Sequence, residues 1–518
     1  MNGARALIQT LVDAGVDVCF TNPGTSEMHF VAALDEVPDM RGILCLFEGV
    51  ATAAADGYAR MADKPASTLL HLGPGLGNGF ANLHNARRAN TPVVNIVGDH
   101  ATYHTQYDAP LESDIGAVAG ACSAWVRRSM TPEEVAGDAA AAVAAARTAP
   151  GHVATLILPA DVCWLESSGP VEPVEPTPGD APHPASIEAL AEVFRSGESV
   201  VLLVGGRVMR ERGLVAAARV AAASGAKLLS ETFPARAERG AGLPAVERLA
   251  YLAEFAQMQL GDAQHLVLVD TVAPVSFFAY PDKASVLTPE GATVHTLATG
   301  FQDAIAALEA LADALDALTE VSVAEAARPE LPTGALTSET VAQAIGALLP
   351  EGAIVADEAN TSGLFIPGFT AGAPRHDWLC LTGGAIGIGL PLATGAAVAC
   401  PDRKVLCLEA DGSAMYTLQA LWTQVREDLD VLTVIFANHS YAVLNMELNR
   451  VGASDAGPKA RDMLDLTRPE LDFVALAQGM GVSATRATTT QEFCDQLRTA
   501  LATRGPKLIE AVIPPLGL

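Results

Sequence analysis

Short apolar runs alternate with helical segments along almost the whole chain, and that rhythm leaves few folds open. Candidate strands fall near residues 16–20, 43–47, 67–72, 93–97 and 154–158, with helix-like stretches such as 50–61 and 79–88 between them. Strands separated by helices cannot close as tight hairpins. They build parallel sheets with helices on both faces. The rhythm breaks twice. Residues 167–186, SSGPVEPVEPTPGDAPHPAS, are rich in proline and acid and have no period, which reads as a linker. A second loose stretch surrounds residues 328–334. Between the breaks lie strands near 200–204, 227–229 and 265–269 and an Ala/Leu-rich helix at 303–318. Beyond them come strands near 353–356, 405–409, 431–436 and 507–512. The expected fold class is α/β, with three consecutive doubly wound parallel-sheet domains. They span residues 1–165, then 186–325 (a middle Rossmann-like domain after a linker at 166–185), then 335–518.

Half of the 518 residues are hydrophobic and 18% are charged, which supplies several cores and excludes a disordered chain. A formal charge of −28 repels phosphate backbones, so no nucleic-acid partner is expected. The eight cysteines include no CxxC pair. That is reduced, cytoplasmic usage rather than a disulfide framework or a zinc site. The N-terminal segment reads as an amphipathic helix without a signal-peptide core, in keeping with a cytoplasmic location. Residues 383–400, GGAIGIGLPLATGAAVAC, carry no charge and approach the length of a membrane span. Their glycines and Pro391 point instead to a buried loop and helix, so no membrane is expected.

Residues 405–444 hold the most chemistry. VLCLE is a buried strand, Ala410-Asp411-Gly412-Ser413 a turn, YTLQALWTQVR helical, VLTVIFA a second strand, and Asn438-His439-Ser440 follows it. A βαβ unit makes the two strands parallel, and puts Asp411 and Asn438 at carboxyl ends, where α/β sheets bind ligands. A carboxylate, an amide oxygen and a nearby carbonyl form a hard-oxygen set suited to Mg2+ with phosphate and water. The N–H groups that follow Gly412 suit a diphosphate. An ordinary turn at Asp411-Gly412 and a strand-end cap at Asn438 would account for the same spacing.

The segment resembles the thiamine diphosphate (ThDP) motif, GDG followed about 25–30 residues later by NN; here it reads ADGS…AN, with Asp411 and Asn438 27 positions apart. Ala410 and Ala437 stand where the motif has Gly and Asn. The resemblance implies Asp411, Asn438 and the Ser440 carbonyl as metal ligands, and Gly412, Ser413, Asn360 and Thr361 around the diphosphate. FEGVATAAADGYAR resembles the pyrimidine-binding signature of ThDP decarboxylases and acetolactate synthases. It implies that Glu48 hydrogen-bonds N1′ of the aminopyrimidine; taken alone, Glu48 is an ordinary helix-start acid. In GGAIGIGLP the resemblance implies that the Gly384 carbonyl receives the 4′-amino group and that Ile386 bends the cofactor. The three expected domains are then pyrimidine-binding, middle and diphosphate-binding.

NPGTSEM and LLHLGPGLGN resemble benzoylformate decarboxylase. There the residue at Thr25 binds substrate carboxylate and the histidine at His71 is an acid/base. The loop with His100 faces substrate too. A second active-site histidine of that enzyme has no counterpart here: Ala279 takes its place. Acetolactate synthases carry glutamine where this chain has Asp99-His100, and are longer, with a flavin-binding middle domain. Gly205-Gly206 leaves FAD open, as a nucleotide-approach turn or a plain turn. No strand-GxGxxG-helix unit is present, which argues against a nicotinamide dehydrogenase.

Nearly the whole chain follows the family order, closest to short acetolactate synthase large-subunit-like proteins. The expected function is ThDP- and Mg2+-dependent decarboxylation of a 2-oxo acid with carboligation, pyruvate to 2-acetolactate. The alternatives are a non-ligating decarboxylase of the benzoylformate type and, from Ala410 and Ala437, a non-catalytic synthase paralogue. The resemblance also implies a homodimer or homotetramer with active sites at the subunit interface.

Overall fold

The computed structural model describes residues 1–453 and 455–515. It contains three sheets in chain order. The first holds β1 (Val18–Asn22), β2 (Arg41–Leu44), β3 (Ala66–Leu70), β4 (Val93–Asp99), β5 (Trp125–Arg128) and β6 (Val153–Pro159). Its spatial order is β2-β1-β3-β4-β6-β5, and every pair is parallel. The middle segment supplies β7 (Val200–Val204), β8 (Lys227–Ser230), β9 (Ala237–Arg239), β10 (Glu247–Arg248), β11 (His265–Val269) and β12 (Thr293–Ala298). Five of these form a parallel sheet in the order β10-β8-β7-β11-β12. The third sheet uses β13 (Ile354–Glu358), β14 (His376–Cys380), β15 (Val405–Ala410), β16 (Val431–Ala437), β17 (Ser483–Ala487) and β18 (Lys507–Val512). β9 leaves the middle segment and joins this sheet at its edge, antiparallel to β14, so the order is β17-β18-β16-β15-β13-β14-β9.

The central strands are apolar on both faces because helices cover both faces; β4, β6 and β16 are buried along their full length. The uncharged stretch after residue 383 is a loop followed by the helix Gly389–Ala399. That helix lies against the helix Glu48–Ala62. Gly57 meets the backbone of Leu392, and Gly395 that of Ala54, so closely that a Cβ on either glycine would overlap a carbonyl. One continuous core therefore joins the first and third sheets. Among the described residues no helix is long and apolar enough to cross a membrane. All eight cysteines are unpaired.

Two local expectations are corrected. The helix expected over 79–88 begins earlier: the glycine-rich stretch after His71 is the start of the helix Leu72–Arg88. Its glycines admit neighbours: Gly75 lies against Glu48 and His71, and Gly79 against Thr52. The helix expected over 416–426 is two short ones, Asp411–Thr417 and Ala420–Arg426.

Candidate active site

In the first sheet the chain begins at β1, adds β2 on one side, then crosses to β3 on the other. A reversal of this kind opens a crevice at the carboxyl edge, the usual ligand position in an α/β sheet. The four neighbouring strands β2, β1, β3 and β4 run respectively into Glu48, Thr25, His71 and His100. The topology thus gathers four residues that are scattered in sequence.

Glu48 opens its helix and is only 8% exposed. The Asn78 side-chain amide donates to its Oε2 at 3.0 Å. His71 directly precedes the helix Leu72–Arg88, and its Nδ1 lies 2.9 Å from Glu27 Oε2. Glu27 is buried, and the same oxygen accepts the Gly24 N–H at 2.7 Å. Its Oε1 is enclosed without a partner. Burial pushes the Glu27 carboxyl up from its usual range, and His71 pulls against that shift. Gly24 and Gly98 leave room for this pair: a Cβ on the first would overlap the imidazole, on the second the Glu27 carboxyl. With its proton on Nδ1 and donated to Glu27, His71 keeps Nε2 for another molecule. Leu72, next in the chain, has φ +51, a strained value for a bulky residue. Thr25 is exposed at the start of a short helical turn, Thr25–Glu27. The His100 ring packs on His104 at 5.5 Å, with Nε2 enclosed and unpartnered.

The third sheet repeats the logic. Its chain begins at β13, adds β14, then crosses to β15. Asn360 and Thr361 follow β13, Gly384 and Ile386 follow β14, Asp411 to Ser413 follow β15, and Asn438 to Ser440 follow β16. Asp411 is buried; its Oδ1 accepts the Gly412 N–H at 2.8 Å and Oδ2 the His439 N–H at 2.6 Å. Burial holds its carboxyl above the ordinary value, the direction a bound cation would oppose. Asn438 Oδ1 accepts the Ser440 N–H at 3.0 Å, and its amide donates to Ser362 Oγ at 3.2 Å. The Ser440 carbonyl accepts the Ala442 N–H at 2.8 Å, which uses one of its two lone pairs. Asn360, at φ +51, donates to Ser413 Oγ at 3.0 Å. Among the described residues no three His, Cys, Asp or Glu side chains cluster for a metal, and of Asp411, Asn438 and Ser440 only the first is an acid.

The loop bearing Gly384 and Ile386 is held from both sides. Asn85 donates to the Ala385 carbonyl at 2.8 Å and accepts its N–H at 3.2 Å. Glu358, buried at the end of β13, accepts the N–H groups of Gly387 at 2.7 Å and Gly389 at 2.5 Å. Asn78 and Asn82 lie one turn apart on one helix; the first holds Glu48 and the second reaches the Gly387 carbonyl at 3.4 Å. Glu27, Asn78, Ser362 and Glu358 are absent from the sequence reading. All four lie within or beside stretches singled out there: Glu27 in NPGTSEM, Asn78 in LLHLGPGLGN, and Glu358 and Ser362 on either side of Ala359-Asn360-Thr361.

Residues 1–118 match the family model described as thiamine pyrophosphate enzyme, N-terminal TPP binding domain, and residues 366–511 match the corresponding C-terminal TPP binding domain. A Mycobacterium tuberculosis protein described as "Putative acetolactate synthase large subunit IlvX" is 62% identical over the full length of both chains. The chain belongs to the thiamine pyrophosphate enzyme family. Benzoylformate decarboxylase of Pseudomonas aeruginosa is 30% identical over 96% of each chain. Among solved structures, a ThDP-dependent 4-hydroxybenzoylformate decarboxylase of Rhodococcus jostii shares the fold, with a TM-score of 0.86, 23% identity and 99% of each chain covered. The protein is thus a ThDP-dependent enzyme of the acetolactate synthase and benzoylformate decarboxylase group. The first matched region contains Thr25, Glu48, His71 and His100; the second contains Gly384, Ile386, Asp411 and Asn438.

Proposed function

We propose that this enzyme decarboxylates a 2-oxo acid with ThDP and Mg2+, and that His71 then protonates the decarboxylated fragment to give an aldehyde. The observation that carries this reading is the buried Glu27 carboxyl on His71 Nδ1. It orients an imidazole at a ligand crevice and leaves Nε2 to handle a proton. Bound ThDP supplies a carbon nucleophile and an electron sink, chemistry that side chains lack.

The chain's own groups fit such a cofactor. Glu48, steadied by Asn78, would meet N1′ of the aminopyrimidine. The Gly384 carbonyl would accept from the 4′-amino group, and Ile386 would pack against the cofactor. Asn360, Thr361, Gly412 and Ser413 surround the diphosphate. Asp411, Asn438 Oδ1 and the Ser440 carbonyl would hold Mg2+, a hard cation suited to such an oxygen set. Thr25 and His100 bind the substrate carboxylate side. Ala410, one of the motif's two alanines, does not oppose this. Ala410 sits at φ −75 and ψ 144, a conformation any residue adopts, so no glycine is required there. That weakens the non-catalytic alternative.

Carboligation is the second reading, favoured by the description of the 62% identical relative. In it the decarboxylated fragment attacks a second carbonyl, and pyruvate gives 2-acetolactate. Product analysis by NMR separates the two. With ThDP and Mg2+, benzoylformate yields benzaldehyde in the first reading, and His71→Ala loses it. Acetolactate from pyruvate, insensitive to His71→Ala, would overturn the first reading and support the second.

We also propose a dimer, alone or doubled, that completes the site. Leu364, Met415, Tyr416 and Leu444 are exposed apolar side chains beside the diphosphate half, a surface of the kind that interfaces cover. Light scattering at assay concentration should give at least twice the chain mass of 53.5 kDa; a monomer that retains activity contradicts this.

A further inference from the structure

The middle sheet has its own reversal. The chain starts at β7, moves to β8 and β10, then crosses to β11 on the other side. The rule that locates the other two crevices places a nucleotide here, at the turn after β7. Gly205 and Gly206 form that turn, ahead of the short helical turn Gly206–Met209 and the helix Glu211–Ser224. In a dinucleotide site the N–H groups at such a turn face the diphosphate.

In this chain those N–H groups are already taken, that of Gly205 by the Val269 carbonyl at 3.0 Å and the next two by carboxyl groups. Glu231, just beyond β8, accepts the Gly206 N–H at 2.9 Å and the Thr271 hydroxyl at 3.3 Å. Asp270, just beyond β11, accepts the Arg207 N–H at 2.8 Å. Glu238 accepts the Glu211 N–H at 2.7 Å. The same carboxyls account for the glycines. A Cβ at Gly205 would overlap Glu231, and one at Gly206, whose φ is +49, would overlap Asp270. The glycines therefore make room for side chains of this chain. They are not evidence that a ligand approaches.

A cavity of about 570 Å3 adjoins the turn and includes arginines that could draw phosphate. Three are committed elsewhere: Arg60 to Asp56, Arg210 to Asp63, and Arg236 to Asp377. Arg207 donates to the Pro150 carbonyl at 3.3 Å. Desolvation lifts the Glu231 carboxyl to about 7 and that of Asp270 to about 6. The turn already bears the strain of crowding two acids, with no allowance for a third anion.

We infer that this crevice takes no flavin dinucleotide, because Glu231 and Asp270 occupy the N–H groups on which its diphosphate would dock. The middle domain is closed on itself at its switch point, whereas the longer acetolactate synthases, by the resemblance drawn from sequence, have a flavin-binding middle domain. The claim is independent of whether His71 protonates or the enzyme ligates.

The full-length protein tests it directly. The purified enzyme is denatured and the supernatant examined for flavin absorption; FAD is then titrated into the native enzyme, with flavin fluorescence and melting temperature followed. The expected result is no released flavin, no saturable change in fluorescence and no shift in melting temperature. One flavin released per chain, or saturable quenching with a rise in melting temperature, would overturn the inference. These readouts do not involve turnover, so failure of the proposed reaction leaves them interpretable.

Discussion

In the proposed reaction the chemistry at His71 depends on which nitrogen is free, and Glu27 holds Nδ1. His71→Ala should lower kcat/KM for decarboxylation by roughly 10²–10⁴-fold, the usual weight of a positioned acid or base. Glu27→Gln should lose a smaller part of the same factor and move the pH profile. The double variant should be no worse than His71→Ala, because residues acting as one unit are not additive. Steady-state kinetics on the three variants check this; a double variant that loses the product of the two factors contradicts it. Asp411→Ala should remove the Mg2+ dependence of ThDP binding, read by calorimetry with and without the metal. His71 was legible in the sequence because it ends an apolar strand, where side chains face the crevice. Glu27 was not. It lies in a three-residue helical turn, too short to have a period, and its link to His71 spans 44 positions.

The helices Glu48–Ala62 and Gly389–Ala399 serve the site through their packing as well as through Glu48 itself. Their backbones meet at Gly57 and Gly395, and the contact sets the angle between the first and third sheets. Gly395→Ala adds a methyl where there is no space and should cost about 1–3 kcal/mol, the range for overpacking a close contact. Urea unfolding measures the loss; an unchanged midpoint would show that the helices separate freely. The central strands were legible from their apolar runs. β5 and β17 were not, because they are edge strands whose residues are largely exposed and polar. β14 was hidden for another reason. It opens with His376 and Asp377, which read as polar but are buried: Asp377 is paired with Arg236 and Arg403, and His376 lies 2.8 Å from the Pro374 carbonyl. Burial lowers His376 to about 4, so it stays neutral inside the sheet.

Across the whole molecule the three chain segments are tied at Arg60. This buried side chain pairs with Asp56 and donates to the carbonyls of Ala235 at 3.0 Å and Cys380 at 2.7 Å, so it touches all three segments. Arg60→Ala leaves Asp56 buried and unpaired, and should destabilise by about 3–5 kcal/mol in denaturant unfolding. Stability should also fall as pH rises. Glu231 and Asp270 have folded values of about 7 and about 6, above their unfolded ones, so the folded state binds more protons. Their contribution is complete below the unfolded carboxylate range and is lost as pH climbs through those folded values. A charge of −28 adds self-repulsion of the same sign. The melting temperature should therefore drop between about pH 5.5 and about pH 8, and Glu231→Gln should flatten the slope. A rise over that range would contradict the assignment. Sequence periodicity made the three-sheet architecture legible, but not β9, whose three residues cross into the third sheet through contacts distant in the chain. The most direct test of the central claim is CO2 release from a 2-oxo acid, benzoylformate or pyruvate, at saturating ThDP and Mg2+, for the wild-type enzyme and for Glu48→Gln. The account predicts release by the wild type, and a loss of roughly 10²-fold or more in the variant, with the variant still folded. Equal release by both proteins would contradict it.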